Sequence, residues 1–213
     1  MAYVTVQGSG RAEIVVRKSR FIASVAPVRL EAAAHAFIEQ IRAEHREADH
    51  NVYAYKVGTA QRMSDDGEPS GTAGRPVFDV LDKQGLSDAV IVVTRYFGGT
   101  LLGAGGLVHA YSQAAVAGIE AAGVVRAQLA ADLRLTLDYP LVGKVQYLLG
   151  QRGALTLDSQ FGAGVVIVCR LPAAAAADLE AELAEASAGR IQVERLREVQ
   201  TGADLRPLHE PIP

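Results

Sequence analysis

Two glycine-rich segments and one acidic turn hold the residues best suited to chemistry. The later segment reads Arg95-Tyr96-Phe97-Gly98-Gly99-Thr100-Leu101-Leu102-Gly103-Ala104-Gly105-Gly106 and runs on into Leu107-Val108-His109. It links an almost wholly apolar run, 89–94, to an amphipathic one, so it sits between a strand end and a helix start. Backbone N–H groups and the helix dipole can meet an anion there. Arg95 and His109 would add side-chain donors and Tyr96 an aromatic face, and a phosphate or phosphodiester is the ligand that suits this pattern. Glycines also have a plainer use, permitting a tight turn and close packing of a helix on a sheet. Neither GxGxxG with a following acid nor GxxxxGK[ST] occurs, which disfavours nucleotide binding of those two kinds.

The earlier segment reads Arg62-Met63-Ser64-Asp65-Asp66-Gly67-Glu68-Pro69-Ser70-Gly71-Thr72-Ala73-Gly74-Arg75-Pro76. Asp65, Asp66 and Glu68, beside Ser64, could hold a hard cation through oxygen or supply a general base. Their spacing fits no EF-hand loop, and a solvated turn bent at Asp66-Gly67 is the simpler account. Ser70, Thr72 and the backbone of Gly71 and Gly74 could equally wrap an anion, with Arg75 as counter-charge. His50 stands at the edge of this region as a ligand or a structural group, His45 extends an apolar stripe, and His35 falls on a solvent face. No HExxH, Cys/His cluster or GxSxG is present, so no metal, cofactor or catalytic triad is expected. Arg11, Arg17, Lys18 and Arg20 form the most basic local stretch, which reads as a solvated, edge-protecting turn or as a nucleic-acid contact. Tyr53, Tyr55, Tyr96 and Phe97 are either core aromatics or stacking faces.

The elements that must position these residues follow from periodicity. Residues 11–16 and 21–28 are β-rich and read as a hairpin. Leu30, Ala34, Phe37, Ile38 and Ile41 recur at helical spacing. A strand over 51–57 precedes a polar loop, 58–74, with four glycines and a proline. A loop of that length is usually functional or disordered. A short helix over 77–83 leads to the apolar run 89–94, a strand buried on both faces. A helix with Leu107, Tyr111, Ala114, Gly118, Ile119 and Ala122 on one stripe then closes a first domain near 126. The remainder orders as strand 132–137, helix from Pro140, strand 154–159, strand 165–170, helix from Pro172 and strand 191–197. That is the βαββαβ order of ferredoxin-like domains. The expected division is 1–126, 127–202 and a frayed tail, 203–213.

Bulk properties bound the partners. A chain of 213 residues suits two domains, and 49% hydrophobic with 21% charged residues is an ordinary globular balance. The amino terminus has no signal-peptide pattern and no stretch is long and apolar enough to span a bilayer, so a cytoplasmic location and no membrane partner are expected. The single cysteine, Cys169, lies in an apolar run and reads as a buried side chain. A net charge of -3 supplies no global field for nucleic acid, so such binding would need a local basic patch. Oligomeric state is not legible.

Four ordered blocks resemble the IMPACT family: Lys18-Ser19-Arg20-Phe21-Ile22-Ala23; His50-Asn51 with Tyr53-Ala54-Tyr55; the stretch from Ser64 to Gly74; and Val93 to Gly99 through Gly103 to Val108. The second half agrees through Asp138-Tyr139, Gly143-Lys144 and Gly189-Arg190. The resemblance implies an α+β protein whose first domain is similar to domain 2 of ribosomal protein S5 and whose ferredoxin-like second domain resembles one in elongation factor G. It further implies a translation-associated regulator that binds RNA or the ribosome, with no settled activity for bacterial members. Eukaryotic relatives act in a stress-kinase pathway through an added RWD domain, for which no segment is expected here, so that role is not carried over. The family pattern places Arg where this chain has His109, which would make an anion site there weaker or pH-sensitive. The leading expectation is an RNA- or ribosome-binding module. A metal-assisted enzyme acting on a phosphorylated small molecule, through Asp65, Asp66 and Glu68, is the alternative, and a ligand-free interaction scaffold is the third.

Overall fold

A computed structural model describes residues 3–208, which divide into two compact units, 3–126 and 127–208. In the first, β1 (Tyr3–Val6), β2 (Gly10–Val16), β3 (Ser19–Pro27), α1 (Glu31–Glu44), β4 (His50–Val57), β5 (Ala60–Ser64), α2 (Gly74–Lys83), β6 (Ala89–Tyr96) and α3 (Gly103–Ala122) follow in order. Its sheet runs β2-β3-β6-β4-β5, every neighbouring pair antiparallel. Because β6 is central, Ile91 and Val93 meet α2 and α3 on one face while Val90 and Val92 meet α1 on the other. Burial on both faces is why this strand is apolar without alternation. The stripe of α1 buries Ala34, Phe37, Ile38 and Ile41 as the spacing predicts, whereas Leu30, expected on the same stripe, stands at the N-cap position before the helix and is 68% exposed.

Two sequence expectations are revised in this unit. The long loop 58–74 begins with a strand: Gly58 takes a positive φ of 54° and lets β5 fold back on β4, pairing Ala60 with Val57 and Ser64 with Tyr53. β5 is an edge strand largely open to water, so no apolar alternation marks it. Helix α3 begins at Gly103 and takes Gly105 and Gly106 into its first turn. Packing of Leu107, Ala110 and Tyr111 on the sheet overrides the poor helix propensity of those glycines.

The second unit is built from β7 (Val124–Leu137), a short 3-10 turn over Tyr139–Leu141, α4 (Val142–Gln151), β8 (Leu155–Phe161), β9 (Val165–Pro172), α5 (Ala173–Ser187) and β10 (Gln192–Thr201). β7 lies between β9 and β10, and β8 flanks β9, all antiparallel. One face of the sheet packs Leu133, Leu135, Ile167 and Cys169 against Val145, Leu149, Leu179 and Leu183 of the helices. Burial pushes the Cys169 thiol up to about 11, in keeping with an inert side chain. On the alternate positions, Asp132 accepts from Arg170 Nε at 2.6 Å and Arg197 Nε at 3.0 Å. The expected tail is partly ordered: Leu205 is buried and its carbonyl accepts from Arg170, while 209–213 lie outside the described residues. Among the described residues no helix is long and apolar enough to cross a membrane.

Candidate anion-binding site

The acidic turn forms around two backbone kinks, Asp66 at φ 45° and Gly67 at φ 87°. Asp65 folds across the loop it belongs to. Its Oδ1 accepts N–H from Ala73 at 3.1 Å and Gly74 at 2.8 Å, and its Oδ2 accepts N–H from Gly71 at 2.9 Å. It therefore caps the start of α2 from outside the helix, satisfying donors that a helix end leaves open. Burial alone would raise the Asp65 carboxyl, but the three N–H donors outweigh it and hold the group below the ordinary aspartate range. Asp66 ties the turn to the sheet: its Oδ2 accepts the Asn51 N–H at 2.7 Å, its Oδ1 accepts from Arg42 at 2.9 Å, and its carbonyl meets His50 Nδ1 at 2.8 Å. Asn51 is anchored in turn by Thr94 Oγ1, which donates to its side-chain oxygen at 2.7 Å.

Glu68 points inward. Its Oε1 accepts from Arg95 Nη1 at 2.6 Å and from the Tyr111 hydroxyl at 2.8 Å, with His50 Nε2 3.8 Å away. Both charged side chains are almost fully buried, at 7% and 3% exposure, so the pair is an interior one. The Arg95 guanidinium also faces the rings of Phe21 and Phe97, at 5.4 and 5.6 Å from their centroids. Burial and then the neighbouring Glu68 drive the Tyr111 hydroxyl far above the ordinary phenol range, so it remains a donor. Glu68 thus joins the acidic turn, the end of β6 and α3. Removing one member of such a buried pair leaves an uncompensated charge and costs about 3–5 kcal/mol.

A separate surface forms where the basic hairpin turn meets the later glycine loop. Val16 pairs with Ser19, leaving Arg17 and Lys18 as a two-residue turn with φ 46° and 68°. Gly98 lies directly against it: a Cβ there would stand 2.0 Å from the Lys18 carbonyl carbon, and its N–H donates to Ser19 Oγ at 3.1 Å. Asp49 steadies the loop by accepting the Phe97 N–H at 2.7 Å. The loop then runs, exposed at Gly99 and Thr100, into the first turn of α3, which no side chain caps. Arg17 and Lys18 are exposed and have no acidic partner among the described residues.

The residues anticipated for anion binding therefore divide. The N–H groups of Gly71 and Gly74 are given to Asp65, Thr72 Oγ1 donates to Pro69 O at 2.6 Å, Arg75 pairs with Asp79 at 2.7 Å, and Arg95 is neutralised by Glu68. Tyr96 engages His45 through its hydroxyl at 2.9 Å. Gly98 gives its N–H to Ser19, whereas Gly99, Gly105, Gly106 and the exposed His109 line the open surface, and Ser70 stands exposed on the other loop. Asp65, Asp66 and Glu68 turn their oxygens to three different donor sets, and among the described residues no group of three His, Cys, Asp or Glu side chains could hold a metal. Arg17 and Lys18 are conspicuous in the sequence, but their contact with Gly98 is not; the glycine itself is the only signal of so close an approach. Nothing in the sequence marks Tyr111 as the third partner of Glu68.

A two-domain α+β protein, with a buried Glu68–Arg95 pair and a separate glycine-rich, cationic surface in its first unit, is the class these features define. Residues 17–119 match the family model described as the Impact N-terminal domain, and 135–190 match one described as a domain of unknown function, DUF1949. The IMPACT family member YvyE of Bacillus subtilis is 45% identical over 148 residues, 68% of each chain. YigZ of Escherichia coli, another IMPACT family member, is 37% identical over 188 residues, 86% of this chain and 92% of its own. A crystal structure of a hypothetical protein covers 92% of the chain, and 98% of its own, at 34% identity with a TM-score of 0.60. The chain belongs to the IMPACT family.

Proposed function

We propose that this protein is a cytoplasmic RNA-binding module of the translation apparatus that holds phosphodiester backbone, free or within the ribosome, on the surface formed by Arg17, Lys18, Gly99 and the first turn of α3. The β2–β3 turn carries the reading. A two-residue hairpin turn with φ positive at both positions strongly favours Asn-Gly. Two side-chain-bearing residues in that region cost on the order of 1 kcal/mol each. Here both positions are cations without acidic partners among the described residues, held beside a glycine loop and an uncapped helix start. Strain kept at an exposed cationic turn points to use rather than to packing. The strand order β10-β7-β9-β8 within βαββαβ supports a ferredoxin-like second unit, and the packing of α2 and α3 together on one face of the first unit's sheet supports an S5 domain 2-like fold. Folds of these two kinds occur in translation proteins, but a fold alone fixes no function, and the cationic surface is what favours RNA.

Arg17→Asn/Lys18→Gly tests this directly, because it relaxes the turn while removing the charges. The variant melts higher than the parent, yet its affinity for a single-stranded oligouridylate falls. Its dependence of log K on log salt becomes shallower by about 1.4. Co-sedimentation with ribosomal subunits weakens in step. A salt slope identical to that of the parent removes the proposal.

A further inference from the structure

Strand β2 is the outer strand of its sheet and pairs there with β3 alone. In a hairpin closed by a two-residue turn, the pair beside the turn exchanges hydrogen bonds. Val16, Ile14 and Ala12 therefore direct their backbone groups to β3, while Val15, Glu13 and Arg11 direct theirs outward. Arg11 and Glu13 are the charges this edge carries, while a proline, an inward lysine and a bulge are missing from the strand, and toward the turn the edge is apolar, with Val15 63% exposed.

Beside that edge, α3 shows His109, Ser112, Gln113, Val116, Ala117 and Glu120, spaced as a single helix face. Together with Ile14, Val15 and Val16 they wall a largely apolar groove of about 530 Å³. Its polar rim, His109, Ser112 and Gln113, has no side-chain hydrogen-bond partner among the described residues. The groove is electrically asymmetric. Val16 leads straight into the exposed cations Arg17 and Lys18 at one end, and Glu120 stands toward the other, near where Gly10 packs on Ala122. The opposite face of β2 is already satisfied, with Arg11 on Glu44 and Glu13 on Arg20.

We propose that β2 and this groove are a docking site for an extended protein segment. The segment adds to the sheet as a further strand, so that its backbone meets the outward groups of Arg11, Glu13 and Val15. Alternate side chains, small and aliphatic, enter the groove between β2 and α3. An acidic group lies toward Arg17 and Lys18 and a basic group toward Glu120. Only an extended chain can satisfy donors and acceptors that alternate along a strand edge, which is why a protein segment fits here. The site shares Arg17 and Lys18 with the RNA surface at one end, but its strand edge and groove stand whether or not RNA binds there.

A fluorescein-labelled peptide, Asp-Asp-Val-Thr-Val-Thr-Val-Lys, tests the site in anisotropy titrations with the full chain. The control peptide has its three valines replaced by proline. The parent protein binds the first peptide saturably and the control does not. Val15→Pro removes an outward N–H and Ala117→Arg fills the groove. Each weakens binding at least about tenfold, equivalent to about 1.4 kcal/mol. Both retain the parent's melting behaviour and oligouridylate binding, which separates failure here from failure of the RNA reading; should Val15→Pro fold poorly, Ala117→Arg carries the test. Absence of saturable binding, equal binding of the control peptide, or undiminished binding by Ala117→Arg overturns the proposal. So does sedimentation of the parent as a dimer that Val15→Pro dissociates, since a second copy would then occupy the edge.

Discussion

At the scale of single residues, the acidic turn shows how side chains suited to catalysis are used for architecture. Asp65 does for α2 what an N-cap residue does for its own helix, and it does so across the loop. Losing such a cap costs about 1–2 kcal/mol near neutral pH, so Asp65→Asn melts lower than the parent there. The folded-state carboxyl titrates below its unfolded value, ordinarily about 3.9. Its stabilisation is therefore complete above that pH and disappears as the pH falls through the lower, folded value. Chemical denaturation of parent and variant between neutrality and about pH 2 should show the gap in stability narrowing only at the acid end. A gap constant over the whole range would mean that the carboxylate's charge is not what closes the loop. The residue types here were legible in the sequence, but their partners were not. Glu68 and Arg95 stand far apart along the chain, and only the meeting of β6, α3 and the turn makes them a pair.

At the scale of elements, glycines decide how closely segments approach. Gly98 has no space for a Cβ against the Lys18 backbone, whereas a Cβ on Gly105 would meet nothing within 4 Å. Gly98→Ala must push the hairpin turn away from the loop at a cost of about 1–3 kcal/mol. Gly105→Ala, in the first turn of α3, gains about 0.5–1 kcal/mol from helix propensity. Thermal melts of the two variants should move in opposite directions, and Gly98→Ala should also weaken oligouridylate binding by separating Arg17 and Lys18 from Gly99. Two downward shifts of equal size would show that open space beside Gly105 is not the controlling feature. Helices α1 and α3 could be read from periodicity because each buries a regular face, and the central strand β6 from its unbroken apolar run because it is buried on both faces. β5 could not, because an edge strand exposed on both sides leaves no alternation to read.

For the whole molecule, the partition of cores is the governing feature. The second unit gathers its apolar side chains in a core of its own, and the registers of β9 and β10 on β7 begin at Ala130 and Gln128, beyond the cut at 126. A fragment of 127–208 should therefore unfold cooperatively by itself. Within it, Asp132→Asn strips the counter-charge from Arg170 and Arg197, costing about 3 kcal/mol. In the full chain the same substitution should leave oligouridylate affinity at the parent's value. A non-cooperative fragment would show that the second unit draws stability from elsewhere.

The amino-acid sequence by itself determined the family, the α+β class and the presence of most helices and strands, because periodic burial and short ordered motifs are local properties of a chain. The tertiary structure alone decided which charges are spent and which are free. Whether an arginine or an aspartate meets a partner depends on segments brought together from distant parts of the chain. That is how Arg95 came to lie buried on Glu68 while Arg17 and Lys18 were left facing water.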